Sequence, residues 1–423
     1  MTDDEIIPAS EIVPLLEPRE GIPPVIEDAD ALASAVRAFA KGTGPVAVDA
    51  ERASGYRYSG RAYLVQLRRA GAGSVLVDPI ACPDLSELDE ALADAEVVLH
   101  AATQDLACLA EIGFTPRTLF DTELAGRLLG YERVGLGTMV ENVLSLRLEK
   151  GHSAADWSQR PLPEDWLRYA VLDVEVLIEL RDKLHEELAA SGKLAWAREE
   201  FAAILAAPPS PPRTDPWRRT SGIHRVRTLR GLAVVRELWT LRDELAREAD
   251  LAPGRVLPDS AIVTAALDQP RTTKALTEIA PFTGRSARRH LREWLNAIGR
   301  ARALPETELP QPSGPGEGPP PANRWADRDP AAARRLAAAR AAVAALADAN
   351  RMPTENLLQP EAIRRLTWEP PADLGDEGVS ARLRELGARE WQIELTAHPL
   401  SRALIRLVVK GEVDEPGPTP LTE

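Results

Sequence analysis

Cysteine is scarce in this 423-residue chain, with Cys82 and Cys108 as its two thiols. Two thiols build neither a disulfide framework nor a zinc cluster, and a reducing, cytoplasmic setting is the expectation. Long apolar runs are missing: nothing approaches the ~18 consecutive apolar residues a membrane helix needs, so no membrane partner is expected. The start of the chain, Met1 to Glu20, is acidic and lacks a basic-then-apolar layout, so no secretory leader is expected. A G-x-x-x-x-G-K-[ST] run is absent, which excludes a P-loop ATPase or helicase motor. Net positive charge is absent too. At −14 the whole chain does not read as a generic nucleic-acid binder.

What is present is an ordinary globular composition, 44 % hydrophobic and 27 % charged, enough for two to four domains. Charge is unevenly spread. Trp217–Arg302 carries 17 Lys+Arg against 9 Asp+Glu, whereas Trp325–Glu423 carries 13 against 16. A basic module therefore shares the chain with a strongly acidic region. Two composition breaks divide the chain. Ala206 to Pro212 is a proline-rich spacer, and Leu304 to Pro321 holds seven prolines and three glycines. The expected layout is a tail over 1–21, a folded domain over 22–205, a linker over 206–216 and a helical domain over 217–302. A second linker follows over 303–324, then another helical domain over 325–410 and a tail over 411–423.

The first block alternates strand and helix signals. Strands are expected at Pro45–Asp49, Ala62–Leu67, Ser74–Asp78 and Glu96–His100, the first three as an antiparallel meander. Helices are expected at Asp84–Asp94, Thr103–Ile112, Asp121–Leu129, Leu136–Ser145 and Pro163–Ala190. The later blocks read as helical. Leu251–Ile262 is comparable with Arg351–Ile363 after one inserted residue, an internal repeat of long helix, proline turn and second helix.

Carboxylates carry the chemistry. Asp49 and Glu51, two apart at a strand end, face one side. Alone such a pair is an ordinary solvated strand end. At the rim of a buried strand it suits a hard, oxygen-seeking cation such as Mg²⁺ or Mn²⁺. Tyr169 and Asp173 stand four apart on one helix face, which puts a phenol beside a carboxylate. A buried Asp needs a partner, and a metal is one candidate. Asp105, after Thr103 as N-cap, also fits a plain helix-dipole role.

The order D-x-E, Asp, Y-x₃-D is far more specific. Val46-Ala47-Val48-Asp49-Ala50-Glu51 with Tyr63-Leu64-Val65-Gln66-Leu67 forms the first motif. Val98 to Leu106 forms the second, and Trp166 to Val174 the third. Over about residues 25–200 the chain closely resembles the 3′–5′ exonucleases of the DEDD superfamily, tyrosine subclass, and within it the ribonuclease D type. Leu119-Phe120-Asp121-Thr122 and Asp156 to Leu162 add to the likeness. Residues 217–302 resemble an HRDC domain through Leu238 to Ala246 and Val256-Leu257-Pro258-Asp259, and the block from Trp325 resembles a second, diverged copy.

The resemblance implies a ribonuclease H-like α/β domain, a mixed sheet with flanking helices, followed by two small all-α domains. It implies phosphodiester hydrolysis with two divalent metal ions (Mg²⁺ or Mn²⁺) held by Asp49, Glu51, Asp105 and Asp173, with Tyr169 orienting the attacking water. The implied partner is RNA with a single-stranded 3′ end, such as a tRNA precursor, trimmed to nucleoside 5′-monophosphates. One departure stands out. The family often places an aromatic or aliphatic residue after the first-motif Glu, against the terminal base, and here that residue is Arg52. Arg285, Arg288, Arg289 and Arg292 fall at helical spacing in the basic module, either as phosphate contacts or as a solvated face. The competing readings are a DNA-directed exonuclease and a catalytically silent nucleic-acid scaffold. The complete carboxylate set speaks against the scaffold.

Overall fold

The computed structural model describes residues 12–149, 151–152, 154–209, 211–312 and 318–411. Among them are eight strands: β1 (Val13–Leu15), β2 (Val25–Ile26), β3 (Thr43–Arg52), β4 (Ala62–Ala70), β5 (Gly73–Val77), β6 (Val97–Leu99), β7 (Leu119–Asp121) and β8 (Leu146–Leu148). Six form one mixed sheet in the order β2-β5-β4-β3-β6-β7. β3, β4 and β5 make the expected antiparallel meander, while β2, β6 and β7 join it in parallel. The β-branched run Val46-Ala47-Val48 is fully buried, as the central strand of a sheet covered on both faces must be.

The pleat sorts the two faces. Ala50, Val65 and Val77 point into the main core with Phe39, Leu109 and Leu180. On the other face Leu64 and Leu76 pack with Trp157, Ala170 and Val171. This second face also receives Asp49, Gln66 and Glu51, because Asp49 stands opposite Gln66 and Glu51 opposite Leu64. The helix Glu164–Glu175 lies against it. The long helix expected over 163–190 is in fact two, Glu164–Glu175 and Leu177–Ala190, meeting at Val176.

The first tail is shorter than expected. Residues 1–11 lie outside the described set, but Val13–Leu15 pairs in parallel with β8. The tail beyond Gly411 and residues 313–317 of the second linker also lie outside it.

The two later blocks are helical and repeat one plan. A 20-residue helix, Leu229–Glu248 or Pro330–Ala349, is followed by a one-turn helix, Pro253–Val256 or Thr354–Leu357, and then by a third. The residue after the long helix and its cap is left-handed in both, Asp250 at φ 45° and Arg351 at φ 48°. Leu257 and Leu358 share nearly identical extended backbone angles. The structural match thus pairs Asp250 with Arg351 and needs no inserted residue.

Both repeats dock on the first domain through this turn. The Asp250 carboxylate accepts from the Ser59 amide at 3.0 Å, and Ala252 donates to the Tyr56 carbonyl at 3.0 Å. In the other repeat the buried Lys193 ammonium donates to the carbonyls of Leu128 at 2.6 Å and Asn350 at 2.5 Å. Gly130, at φ 88°, admits the Arg351 carbonyl where any Cβ would collide with it. Trp196 stacks on Trp391 at 5.0 Å between centroids. The core of the third block is continuous with that of the first, whereas the second block keeps a core of its own.

Candidate active site

Each carboxylate is aimed by a local device. Asp49 sits on β3, and Gln66, fully buried on the neighbouring strand, donates to its Oδ2 at 2.9 Å. Glu51 lies two residues on, just before an irregularity in the β3–β4 ladder. There Glu51 pairs with Leu64 but Arg52 with Ala62, leaving Tyr63 as one extra residue. Such a bulge re-aims the side chains beside it. Asp173 comes from the helix beneath this face, one turn after Tyr169, whose hydroxyl lies beside the Asp173 carboxylate and favours its charged form.

Asp105 reaches the site differently from expectation. Thr103 does not cap its helix; it lies in a one-turn 3₁₀ segment, Ala102–Gln104, entered through the left-handed Ala101. Asp121 holds that turn by accepting from the Ala101 and Ala102 amides at 3.1 and 2.9 Å, and it also caps the helix Thr122–Leu129. Asp105 then opens the helix Leu106–Glu111 without capping it, so its carboxylate is left free for the cleft.

Oxygens of Asp49, Glu51 and Asp173 all lie within 4.8 Å of one another. Asp105 stands outside that group, yet it lines the same cavity of about 290 Å³, together with Arg52, His100 and Tyr169. A wider groove of about 900 Å³ meets the cavity at Leu136, Tyr169 and Asp173, and it is bordered by Arg133, Asn142 and Arg147. The segment Asp156 to Pro161 is clamped beside the sheet. Arg160 grips Asp78 with two bonds of 2.6 and 2.7 Å and donates to the Tyr63 carbonyl at 2.8 Å.

Electrostatics mark the cluster as one awaiting positive charge. Burial above all, and then the charges of Asp49, Asp173 and Asp105, push the Glu51 carboxyl up to about 10. Burial and Asp49 raise Asp105 to about 8, and burial raises Asp49 to about 6. Asp173 is raised well above the carboxylate range, by burial first and Asp49 second. Burial also raises the Tyr169 phenol, which therefore stays a hydrogen-bond donor. Three converging oxygen donors, two of them on buried side chains, fit a hard divalent cation and no soft one.

All five expected site residues therefore line one cavity. The four arginines do not. Arg285, Arg288, Arg289 and Arg292 are exposed on the second block, across the junction of a one-turn helix, Arg285–Arg288, and the longer helix Leu291–Ala303 rather than along one helix. The roles of Gln66, Asp121 and Arg160 were not assigned from the sequence. A glutamine inside the apolar run Leu64 to Leu67, opposite Asp49, was the signal for the first.

Three family descriptions match the chain: a 3′-5′ exonuclease over residues 23–189, an HRDC domain over 231–298 and a 3′ to 5′ exonuclease C-terminal domain over 318–404. The third block, expected as another HRDC copy, thus matches a description of its own. Ribonuclease D of Gluconacetobacter diazotrophicus is 31 % identical over 78 % of this chain and 82 % of its own length. Ribonuclease D of Escherichia coli is 33 % identical over 67 % of this chain and 76 % of its own length. A solved structure of a Bifidobacterium adolescentis protein is 40 % identical, covers 93 % of this chain and all of that one, and superposes with a TM-score of 0.85. Escherichia coli RNase D, described as an exoribonuclease involved in structured RNA processing, covers 92 % of this chain and 98 % of its own, at 26 % identity and a TM-score of 0.66. With the carboxylate cleft in place and relatives matched over most of their length, the chain belongs to the ribonuclease D family of 3′–5′ exoribonucleases.

Proposed function

We propose that this exoribonuclease trims the 3′ ends of structured RNAs such as tRNA precursors in the cytoplasm, releasing nucleoside 5′-monophosphates one at a time. The observation that carries this reading is the meeting of Asp49, Glu51 and Asp173 within 4.8 Å, in a cavity shared with Asp105 and Tyr169. Asp49, Glu51, Asp105 and Asp173 would hold two divalent ions, which supply charge to the attacking and leaving oxygens of an in-line displacement. The Tyr169 hydroxyl lies beside Asp173, and from that position the phenol can hold and orient the attacking water. Gln66 fixes the rotamer of Asp49, and Asp121 fixes the turn that delivers Asp105.

The groove bordered by Arg133 and Arg147 suits a single strand whose 3′ end enters the cavity. The exposed arginines of the second block offer a further grip on the body of a folded RNA. A 5′-labelled RNA with a stem and a 3′ tail tests the proposal. Stepwise shortening that halts near the stem, with 5′-monophosphates released, is the expected result. Internal cleavage, or faster digestion of the matching DNA, would replace this reading.

A further inference from the structure

Arg52 lies against Asp105 at the edge of the carboxylate cleft. Its guanidinium Nη2 stands 3.4 Å from Oδ1 of Asp105. No hydrogen bond from another described side chain or amide reaches that carboxylate, and Asp105 is 4 % exposed. The three carboxylates that converge most tightly leave Asp105 out. The cleft therefore has two unequal halves. One is the triad, where the Arg52 charge is felt by Asp49 and Glu51 but forms no ion pair among the described residues, and the other is a single buried carboxylate paired with Arg52.

We propose that Arg52 is a resident counter-ion of Asp105, displaced when the phosphodiester of an RNA 3′ end offers its guanidinium another anion, so that the second divalent ion binds only together with RNA. The chemistry is direct. Guanidinium pairs with phosphate oxygens as readily as with carboxylate, often through two parallel hydrogen bonds. A divalent ion and a guanidinium repel each other if they share one buried carboxylate. An incoming phosphate removes that conflict by drawing Arg52 away, and Asp105 is then free. Arg52 is 29 % exposed and lies at the ladder irregularity, between the cavity and the neighbouring recess formed by Ser54, Gly55 and Ala155. It has room to swing. By linkage, RNA and the second ion then tighten each other equally. A nuclease built this way stays incompletely loaded until substrate is present.

This inference rests on the metal-dependent reading of the cleft, and the experiment separates the two. Free Mn²⁺ is followed by electron paramagnetic resonance during titration of the full-length protein without RNA. Wild type should fill one site and need at least about tenfold more Mn²⁺ for the second. Arg52→Gln should bring the second site close to the first, and Arg52→Lys, which keeps the charge, should resemble wild type. In wild type alone, a single-stranded RNA with a non-hydrolysable terminal linkage should tighten the second site by a similar factor. This last measurement needs no variant to fold. Superposable isotherms for wild type and Arg52→Gln, or no effect of RNA on wild type, would overturn the role of Arg52 while leaving metal binding intact. Absence of any Mn²⁺ site would overturn the metal reading itself, and this proposal with it.

Discussion

Replacing Trp391 by Ala should destabilise the catalytic domain, although Trp391 lies almost at the far end of the chain. Its side chain is 2 % exposed, stacks on Trp196 with an interplanar angle of 15°, and donates from Nε1 to Glu200 at 3.1 Å. Both partners belong to the helix Leu194–Ala206 of the first block. Truncating a buried Trp costs about 3–5 kcal/mol, and the cavity here cannot close without moving two domains. Glu200, largely buried, would keep only Arg389 at 3.5 Å. At roughly 2–4 °C per kcal/mol for a unit of this size, the midpoint should fall by about 10 °C. The assay is thermal unfolding with hydrogen exchange read on Leu194–Ala206. The two blocks share one core, so exchange there should accelerate together with that of Glu390–Val409. An early melt confined to the third block, with Leu194–Ala206 as protected as before, would refute the shared core. The shared core also limits how much of the chain can be removed. All of them precede Pro208, so a fragment ending there holds the whole site, but it also bares Trp196 and strips the Lys193 ammonium of its Asn350 acceptor. That fragment should be poorly stable.

Other outcomes follow from the same structure. Asp49→Asn or Asp173→Asn should abolish turnover while RNA affinity changes little, and Tyr169→Phe should keep metal binding yet slow hydrolysis by about 100-fold; single-turnover kinetics beside filter binding read both. Burial and the neighbouring carboxylates push Glu51 up to about 10, and burial pushes Asp49 up to about 6, in the metal-free fold, whereas the unfolded chain would release those protons in the ordinary carboxylate range. The stability of the metal-free fold should therefore be fully present at low pH and be lost as pH rises toward those values, so Mn²⁺ should raise the melting temperature more at about pH 8.5 than at about pH 5.5. The reverse order would contradict the burial of the cluster. Neutralising Arg285, Arg288, Arg289 and Arg292 to Gln should lower the slope of log affinity against log salt by about 0.9 per lost contact on an RNA stem with a 3′ tail. An unchanged slope would show a merely solvated face.

Most of the candidate site was legible because it lies on regular elements. Period-two alternation put Asp49 and Glu51 on one face, and helical spacing joined Tyr169 to Asp173. The meander of β3, β4 and β5 was readable from its glycine-bearing turns. β1, β2, β7 and β8 were not, since two or three residues carry no periodic signal and exist only through their partners. Asp105 looked like an ordinary first-turn acid because the left-handed Ala101 and the bracing by Asp121 are tertiary features. The docking of the third block was hidden for the same reason. Gly130 resembles any helix-ending glycine until the Arg351 carbonyl is seen against it. The proline turn of the repeat was visible, but its exact register rests on the paired left-handed residues Asp250 and Arg351.

Anomalous diffraction from crystals holding Mn²⁺ and a non-hydrolysable RNA 3′ end tests the central claim most directly. Two peaks ~3.5–4 Å apart are predicted, one within the Asp49, Glu51 and Asp173 triad and one toward Asp105, with the terminal phosphodiester between them and the Tyr169 phenol. Peaks away from this cleft, or an RNA 3′ end bound elsewhere on the chain, would contradict it.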